Sequence, residues 1–264
     1  MKIGIVGLGI VGNAIKYGFE KLGHQIEVHD IKLKTKINNL LTTEICFICV
    51  PTPSDNDGRC DISIVESVVA ILKELDYKGI IAIKSTVVPG TTVQLRKKYD
   101  LKRLCFVPEF LRERCSITDF TENHDVCIIG TNSDHDFGLV KECHGKYPKK
   151  FVHLSETEAE LCKYFNNIYN ATLITFANSF YEVCKSFGVS YTNVKNAVVN
   201  RDHINDIYLD CNESFRGFGG MCLPKDTKAI AQFCRENGID VNFFDMLLKE
   251  NSKYKTTVFD NMRT

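Results

Sequence analysis

Gly7-Leu8-Gly9-Ile10-Val11-Gly12 is the stretch on which the fold turns. It has the form G-x-G-x-x-G, which carries little weight in isolation. Here it follows the apolar run Ile3-Gly4-Ile5-Val6, opens a stretch patterned as a helix, and is followed by a second apolar run that ends in Asp30. That context predicts a strand–turn–helix–strand unit that holds a dinucleotide. Gly7 permits the tight turn, Gly9 lets the backbone approach a pyrophosphate, and Gly12 allows close packing of helix on strand. Ile10 and Val11 begin the helix, whose first N–H groups and partial positive charge face the phosphates. Asp30 is placed to bond the adenine ribose hydroxyls and to repel a 2′-phosphate, so NAD is expected rather than NADP. A glycine-rich turn with no ligand is the plainer alternative, and the flanking strands argue against it.

Outward from this unit, apolar runs predict strands at 3–6, 26–29, 45–50, 80–83, 104–107, 126–129 and 151–154. Helical stretches lie between several of them, including 62–75 and 135–143. Strands alternating with helices predict an α/β fold with a Rossmann-type parallel sheet. The NAD-binding Rossmann-like domain is expected over residues 1–154. Residues 155–264 read as a mainly α-helical domain. Ser155-Glu156-Thr157-Glu158 fits a capping box, and a long helix runs from it to about residue 187, ended by Gly188. Shorter helices follow near 193–199 and 226–237.

Composition narrows the function classes. The chain has 264 residues, 44% apolar and 25% charged, with 33 basic and 33 acidic side chains. Zero net charge argues for neither nucleic acid nor a membrane surface as partner. No apolar run is long enough to span a bilayer, and the N-terminal run is too short for a signal peptide. The twelve cysteines are scattered and several fall in apolar strands. They read as reduced, buried hydrophobes in a reducing compartment, which points to the cytoplasm. Cys46-Phe47-Ile48-Cys49 matches C-x-x-C, but residues three apart on a strand point to opposite faces. No second pair completes a metal site, so no metal is expected.

One cysteine stands apart. Gly217-Phe218-Gly219-Gly220-Met221-Cys222-Leu223-Pro224-Lys225-Asp226 joins a glycine-rich loop to a proline suited to a first helical turn. Cys222 is thus expected at a helix N-terminus, where the dipole and Lys225 favour the thiolate. Asp226, four residues on, shares its helical face. The bland alternative is one more buried cysteine.

This loop resembles the GFGG-x-C-x-PKD signature of the UDP-glucose/GDP-mannose dehydrogenase family, the nucleotide-sugar 6-dehydrogenases. Four further segments resemble family motifs, in family order: Val50-Pro51-Thr52-Pro53, Lys84-Ser85-Thr86-Val87-Val88-Pro89-Gly90-Thr91, Pro108-Glu109-Phe110-Leu111-Arg112-Glu113, and Glu160-Leu161-Cys162-Lys163 with Asn167. The resemblance reaches from residue 3 to about residue 251.

The resemblance implies two successive oxidations of one carbon by NAD⁺, alcohol to aldehyde to acid, with UDP-glucose the first choice of substrate. It makes Cys222 the nucleophile that holds the aldehyde between the two steps. Lys163 and Asn167, four apart on one helix, are implied at the reacting end of the sugar, where a cation stabilises an oxyanion. By the same resemblance Glu109 assists proton transfer or orients water, and Thr86 and Asp226 help hold that water. Glu113 and Lys225 lie near the cofactor, with Thr86. Substrate contact extends to Phe110, Leu111, Arg112, Glu113, Phe215 and Gly219. Read alone, Lys163, Asn167 and the carboxylates are ordinary surface groups. Family members dimerise through the region of the long helix, so a homodimer is expected.

Two departures stand out. The family carries a third, nucleotide-gripping C-terminal domain that this chain is expected to lack. Its D-x-R-I-G element corresponds to Arg201-Asp202-His203-Ile204-Asn205-Asp206, with His203 at the arginine and Arg201 or Arg216 left as substitutes. Three functions therefore stand side by side: a four-electron nucleotide-sugar dehydrogenase, a two-electron β-hydroxyacid-type dehydrogenase, and a non-catalytic cofactor-binding remnant.

Overall fold

The computed structural model describes residues 1–55 and 57–256. Residues 257–264, the end of the expected helical domain, lie outside the described residues.

Among the described residues seven strands form one sheet: β1 (Lys2–Val6), β2 (Gln25–His29), β3 (Ile45–Ile48), β4 (Ile80–Ile83), β5 (Leu104–Phe106), β6 (Val126–Gly130) and β7 (Lys150–Leu154). Their order is β2-β1-β3-β4-β5-β6-β7. All seven expected strands are present, and the sheet is mostly parallel, as a Rossmann-type fold requires, with one exception. β6 meets β5 antiparallel, through the single pair Phe106↔Gly130, and β7 then runs parallel to β6. A short apolar strand carries the same pattern in either direction, so its polarity was not readable from sequence.

Helices α1 (Ile10–Lys21), α2 (Ser63–Glu74), α3 (Thr91–Lys98), α4 (Ser116–Thr121) and α5 (Asp134–His144) cover the sheet. Alternate strand residues point to opposite faces. Ile3, Ile5 and Phe47 pack with Phe19 of α1, Phe120 of α4 and Val140 of α5. Val6, Cys46 and Ile48 pack with Val65, Val69 and Leu72 of α2 and Leu95 of α3. Cys46 and Cys49 accordingly face opposite cores. Burial pushes the Cys49 thiol up to about 12 and Cys46 higher still, so neither is a reactive thiolate at neutral pH.

The long helix α6 (Glu156–Ser186) begins with the expected capping box. Glu158 accepts from the Ser155 N–H at 2.9 Å and hydroxyl at 2.6 Å, and its own N–H donates back to Ser155 Oγ. Gly130 lets α6 lie close on β6, since a Cβ there would meet Ala159 Cβ at 2.6 Å. Helices α7 (Tyr191–Val198), α8 (Leu223–Glu236) and α9 (Phe243–Asn251) follow. α8 starts at the residue after Cys222, with Pro224 in its first turn, so Cys222 stands at the helix N-terminus where the proline placed it.

The chain divides into two compact units, Met1–Pro53 with Asp61–Lys163, and Ser54–Cys60 with Tyr164–Thr264. The second unit takes in a short excursion of the chain beyond β3. There Arg59 pairs with Glu236 of α8, and Gly58 lies against Lys228. Among the described residues no helix is long and apolar enough to cross a membrane.

Candidate active site

In the first unit the switch in strand order falls at β1, with β2 on one side and β3 on the other. Ligands of open α/β sheets gather at the carboxyl ends of strands beside such a switch. The Gly7–Gly12 turn lies there. Gly7 has φ +88°, and a Cβ on it would meet the Cys49 carbonyl oxygen at 2.7 Å. A Cβ on Gly12 would sit 1.9 Å from the Gly7 carbonyl oxygen, whereas one on Gly9 would meet nothing within 4 Å. The turn is closed on its inner side and open at Gly9, which fits a pyrophosphate laid against the backbone at the start of α1. Ile10 is exposed and Val11 half-buried in the first turn of that helix.

Asp30 follows β2 directly. Its Oδ2 accepts from the Leu8 N–H at 2.7 Å and its Oδ1 from the Lys32 N–H at 2.8 Å. These two backbone bonds, Leu8 first, hold its carboxyl below the usual range. Asp30 is therefore an anion tied to the glycine turn itself. The set fits NAD.

The strand ends at β4 and β5 carry the next group. Ile83 and Phe106 are register partners, so Thr86 and Glu109, each three residues on, leave neighbouring strands together. Glu109 Oε1 receives the Lys163 ammonium at 3.0 Å, and Oε2 the Leu111 N–H at 2.8 Å. Lys163 also donates to the Glu109 carbonyl at 2.6 Å and stands 5.8 Å from the Phe110 ring centroid. Both side chains are largely buried, so this is a fixed pair rather than a solvated one. Arg112 forks onto Asp119 at 2.7 and 3.0 Å. That contact holds the Asp119 carboxyl down and keeps Arg112 at the rim of its own loop. Glu113 opens a short 3₁₀ turn and is exposed.

In the second unit, Asn167 and Asp226 meet. Asn167 Nδ2 donates to Asp226 Oδ2 at 2.6 Å, and Lys225 Nζ reaches Asp226 Oδ1 at 2.5 Å. Cys222 is the N-cap residue of α8, Pro224 lies in the first turn, and the Cys222 carbonyl accepts from the Asp226 N–H at 2.9 Å. Of the twelve cysteines Cys222 alone is exposed, and no disulfide joins any two of them. The loop before it is anchored from α9. Asn251 Oδ1 accepts from the Phe218 N–H at 2.8 Å, and Asn251 Nδ2 donates to the Phe218 carbonyl at 2.9 Å. Phe215 and Gly219 are half-buried in the same loop, and Gly220 uses its freedom at φ +74°.

Arg201 and Arg216, the expected substitutes for the family arginine, differ in setting. Arg216 is clamped between the rings of Tyr181 and Tyr254, each centroid 4.7 Å away, and bonds Asn178 and Glu182. It braces the loop. Arg201 is exposed, as is His203. Among the described residues no cluster of His, Cys, Asp or Glu could hold a metal ion.

Asn251 and Glu160 were given no role by sequence reasoning. Glu160 stands inside a recognised motif, whereas Asn251 carries no local signal at all.

Comparison with known proteins supplies the frame for this geometry. Residues 31–147 match the NAD-binding domain of the UDP-glucose/GDP-mannose dehydrogenase family, and residues 157–253 match its central domain. A UDP-glucose 6-dehydrogenase of Haloferax volcanii is 27% identical over 100% of this chain and 72% of its own length. A GDP-mannose 6-dehydrogenase of Pseudomonas syringae is 26% identical over 98% of this chain and 70% of its own. The solved UDP-glucose dehydrogenase of Pyrobaculum islandicum superposes with a TM-score of 0.87 at 26% identity, covering 96% of this chain and 68% of that one. The chain thus spans 68–72% of the length of these three proteins.

Proposed function

The chain belongs to the UDP-glucose/GDP-mannose dehydrogenase family, and we propose that it oxidises the C6 alcohol of a nucleotide sugar to the acid in two NAD⁺-dependent steps. UDP-glucose is the substrate we assign. The observation that carries the reading is Cys222, exposed at the N-cap of α8 and followed by the buried Asp226 with its Lys225 partner.

Bound NAD⁺ supplies the hydride acceptor. In the first oxidation the C6 hydroxyl gives up its proton and C6 a hydride, leaving an aldehyde. The Cys222 thiolate then adds to the aldehyde carbon, and the carbonyl π electrons move to oxygen as the C–S bond forms. The N-terminal end of α8 favours the sulfur anion that this requires. Lys163 places a cation for the oxyanion of the adduct, and Asn167 offers an amide donor to it. A second hydride leaves the same carbon, and the adduct becomes a thioester. Water then attacks, the C–S bond breaks, and the thiolate is regenerated with release of the carboxylate. Glu109, held between Lys163 and the Leu111 N–H, takes the proton of that water or orients it, and Thr86 and Asp226 help to hold it. Per sugar, one alcohol and one water yield one carboxylate, two NADH and three protons.

Phe165, Tyr169, Phe176 and Phe180 of α6 are exposed, as is Phe187 just past its end, Phe165 and Phe187 to 77% and 78%. They follow one another at spacings of mainly four and seven residues, an apolar stripe along one helix. We assign that stripe to a homodimer.

The stoichiometry of NADH formation tests the function. Two NADH per UDP-glucose consumed, with UDP-glucuronate as product, is the expected result. One NADH per sugar would mean a two-electron dehydrogenase. No NADH from any nucleotide sugar, with NAD⁺ still bound, would leave only a cofactor-binding protein.

A further inference from the structure

Helix α6 carries Glu156, Glu160 and Lys163 at spacings of four and three residues, hence on one side. All three are buried, and all three have partners in the sheet unit. Glu156 pairs with Arg96 of α3. Lys163 reaches Glu109 beyond β5. Glu160 lies between them, with no solvent exposure.

The contacts of Glu160 are concentrated on one short segment. Its Oε2 accepts from the Gly90 N–H at 2.5 Å, and its Oε1 from the Thr92 N–H at 2.8 Å and the Thr92 hydroxyl at 2.6 Å. Gly90 is the N-cap residue of α3, and Thr92 lies in its first turn. Two helix N-terminal N–H groups and a hydroxyl thus close around one carboxylate from another helix. A buried carboxylate bonded by uncharged donors is costly unless every bond is kept. It therefore tolerates neither a slide nor a rotation of α6. Lys163 lies less than one helical turn further along, and its ammonium must reach both the carbonyl and the carboxylate of Glu109.

We propose that Glu160 is a positioning residue: by capping α3 from α6, it fixes the register of α6 that sets the Lys163 ammonium on Glu109. The claim rests on the reading of Lys163 and Glu109 as groups that act on the sugar. A misplacement of about 1 Å at such a group costs about a hundredfold in rate.

The test compares the chain with its Glu160→Gln variant by two readouts. The first is acylation by acetic anhydride, followed at Lys163 and at Lys84 by peptide mass spectrometry. Lys84 is an equally buried lysine of the same unit, bonded to the Val107 carbonyl. Lys163 is expected to react about tenfold faster in the variant, with Lys84 changed less than twofold. An equal rise at both lysines, or none at Lys163, overturns the proposal. The second readout is turnover of UDP-glucose: kcat is expected to fall at least tenfold, with KM for NAD⁺ within twofold. An unchanged kcat overturns the proposal as well. If the unaltered chain makes no NADH, the functional reading fails, and the acylation contrast still judges the placement of Lys163. Should Glu160→Gln not fold, Thr92→Val removes only the hydroxyl donor and is expected to give the same contrast at about threefold.

Discussion

Asn167 gives its side-chain amide to the Asp226 carboxylate across 2.6 Å, and both groups are almost wholly buried. This single polar contact ties α6 to the first turn of α8, one turn beyond Cys222. Asp226 holds that turn from two sides, through Asn167 and through Lys225.

Replacing Asn167 by Asp would set two carboxylates against each other in the same space. Both cannot ionise at that distance. We expect a loss of about 3 kcal/mol or more at pH 7.5, in the range for an uncompensated buried charge. The loss shrinks as pH falls toward the ordinary carboxylate range, because one shared proton restores an O–H···O bond. Urea unfolding of Asn167→Asp at pH 7.5 and pH 5 checks this. A deficit that ignores pH would show that charge repulsion is not its origin.

Iodoacetamide should find Cys222 first. It is the exposed cysteine, whereas burial pushes the Cys105 and Cys127 thiols up to about 12. Peptide mass spectrometry of the native chain should show Cys222 modified at least tenfold faster than Cys105 or Cys127. Cys222→Ser should lose acid formation altogether. Full turnover in that variant would remove the covalent mechanism.

The glycine turn makes a prediction of a different kind. Gly12→Ala would drive a methyl group into the Gly7 carbonyl at 1.9 Å, a backbone clash that no rotamer relieves. Overpacking of this kind costs about 1–3 kcal/mol or more, and the turn opposite the pyrophosphate must move. Calorimetric titration should show NAD⁺ binding weakened at least tenfold. Wild-type affinity in Gly12→Ala would mean that the dinucleotide does not lie on this turn.

Much of this architecture was legible in the residues, and the exceptions share a cause. Strand positions and the capping box at Ser155 depend on neighbours in the chain, and they stand where periodicity and spacing put them. The antiparallel β6 and the assignment of Ser54–Cys60 to the helical unit depend on partners far away in sequence. Short α3, Thr-Thr-Val-Gln-Leu-Arg-Lys-Lys, has too little apolar periodicity to be read as a helix. At the site, resemblance picked out Glu109, Lys163, Asn167 and Asp226 without saying which would touch. The pairs Glu109–Lys163 and Asn167–Asp226 belong to the structure. So does the role of Asn251, whose residue type betrays nothing of the loop it holds.

Acid should destabilise the sheet unit through two histidines. Burial, reinforced by Lys84, holds the His124 imidazole down at about 4 and His144 well below its ordinary value. His144 is enclosed by the rings of Phe19, Phe47 and Phe120. Both are neutral in the folded chain, so the unfolded chain binds more protons below pH 6.5. Stability is intact above that pH and falls as pH drops toward 4. His124 alone accounts for at most about 3 kcal/mol of that fall. His124→Gln should flatten the decline in urea midpoint between pH 6.5 and 4. An equally steep decline in the variant would assign it to carboxylates instead.

The aromatic stripe of α6 makes the last prediction. The rings of Phe176 and Phe180 lie tilted at 38° to each other, with centroids 5.1 Å apart, in the middle of the exposed face. Covering a phenylalanine is worth about 1.5–3 kcal/mol, and a two-fold interface counts each residue twice. A carboxylate at Phe176 would have to be desolvated in both copies at once. Phe176→Glu should therefore weaken self-association at least a hundredfold while leaving the helix itself intact. Sedimentation velocity at about 10 μM should find a dimer for the unaltered chain and a monomer for the variant, with unchanged far-ultraviolet circular dichroism. A monomeric unaltered chain at that concentration would leave the stripe without the partner assigned to it.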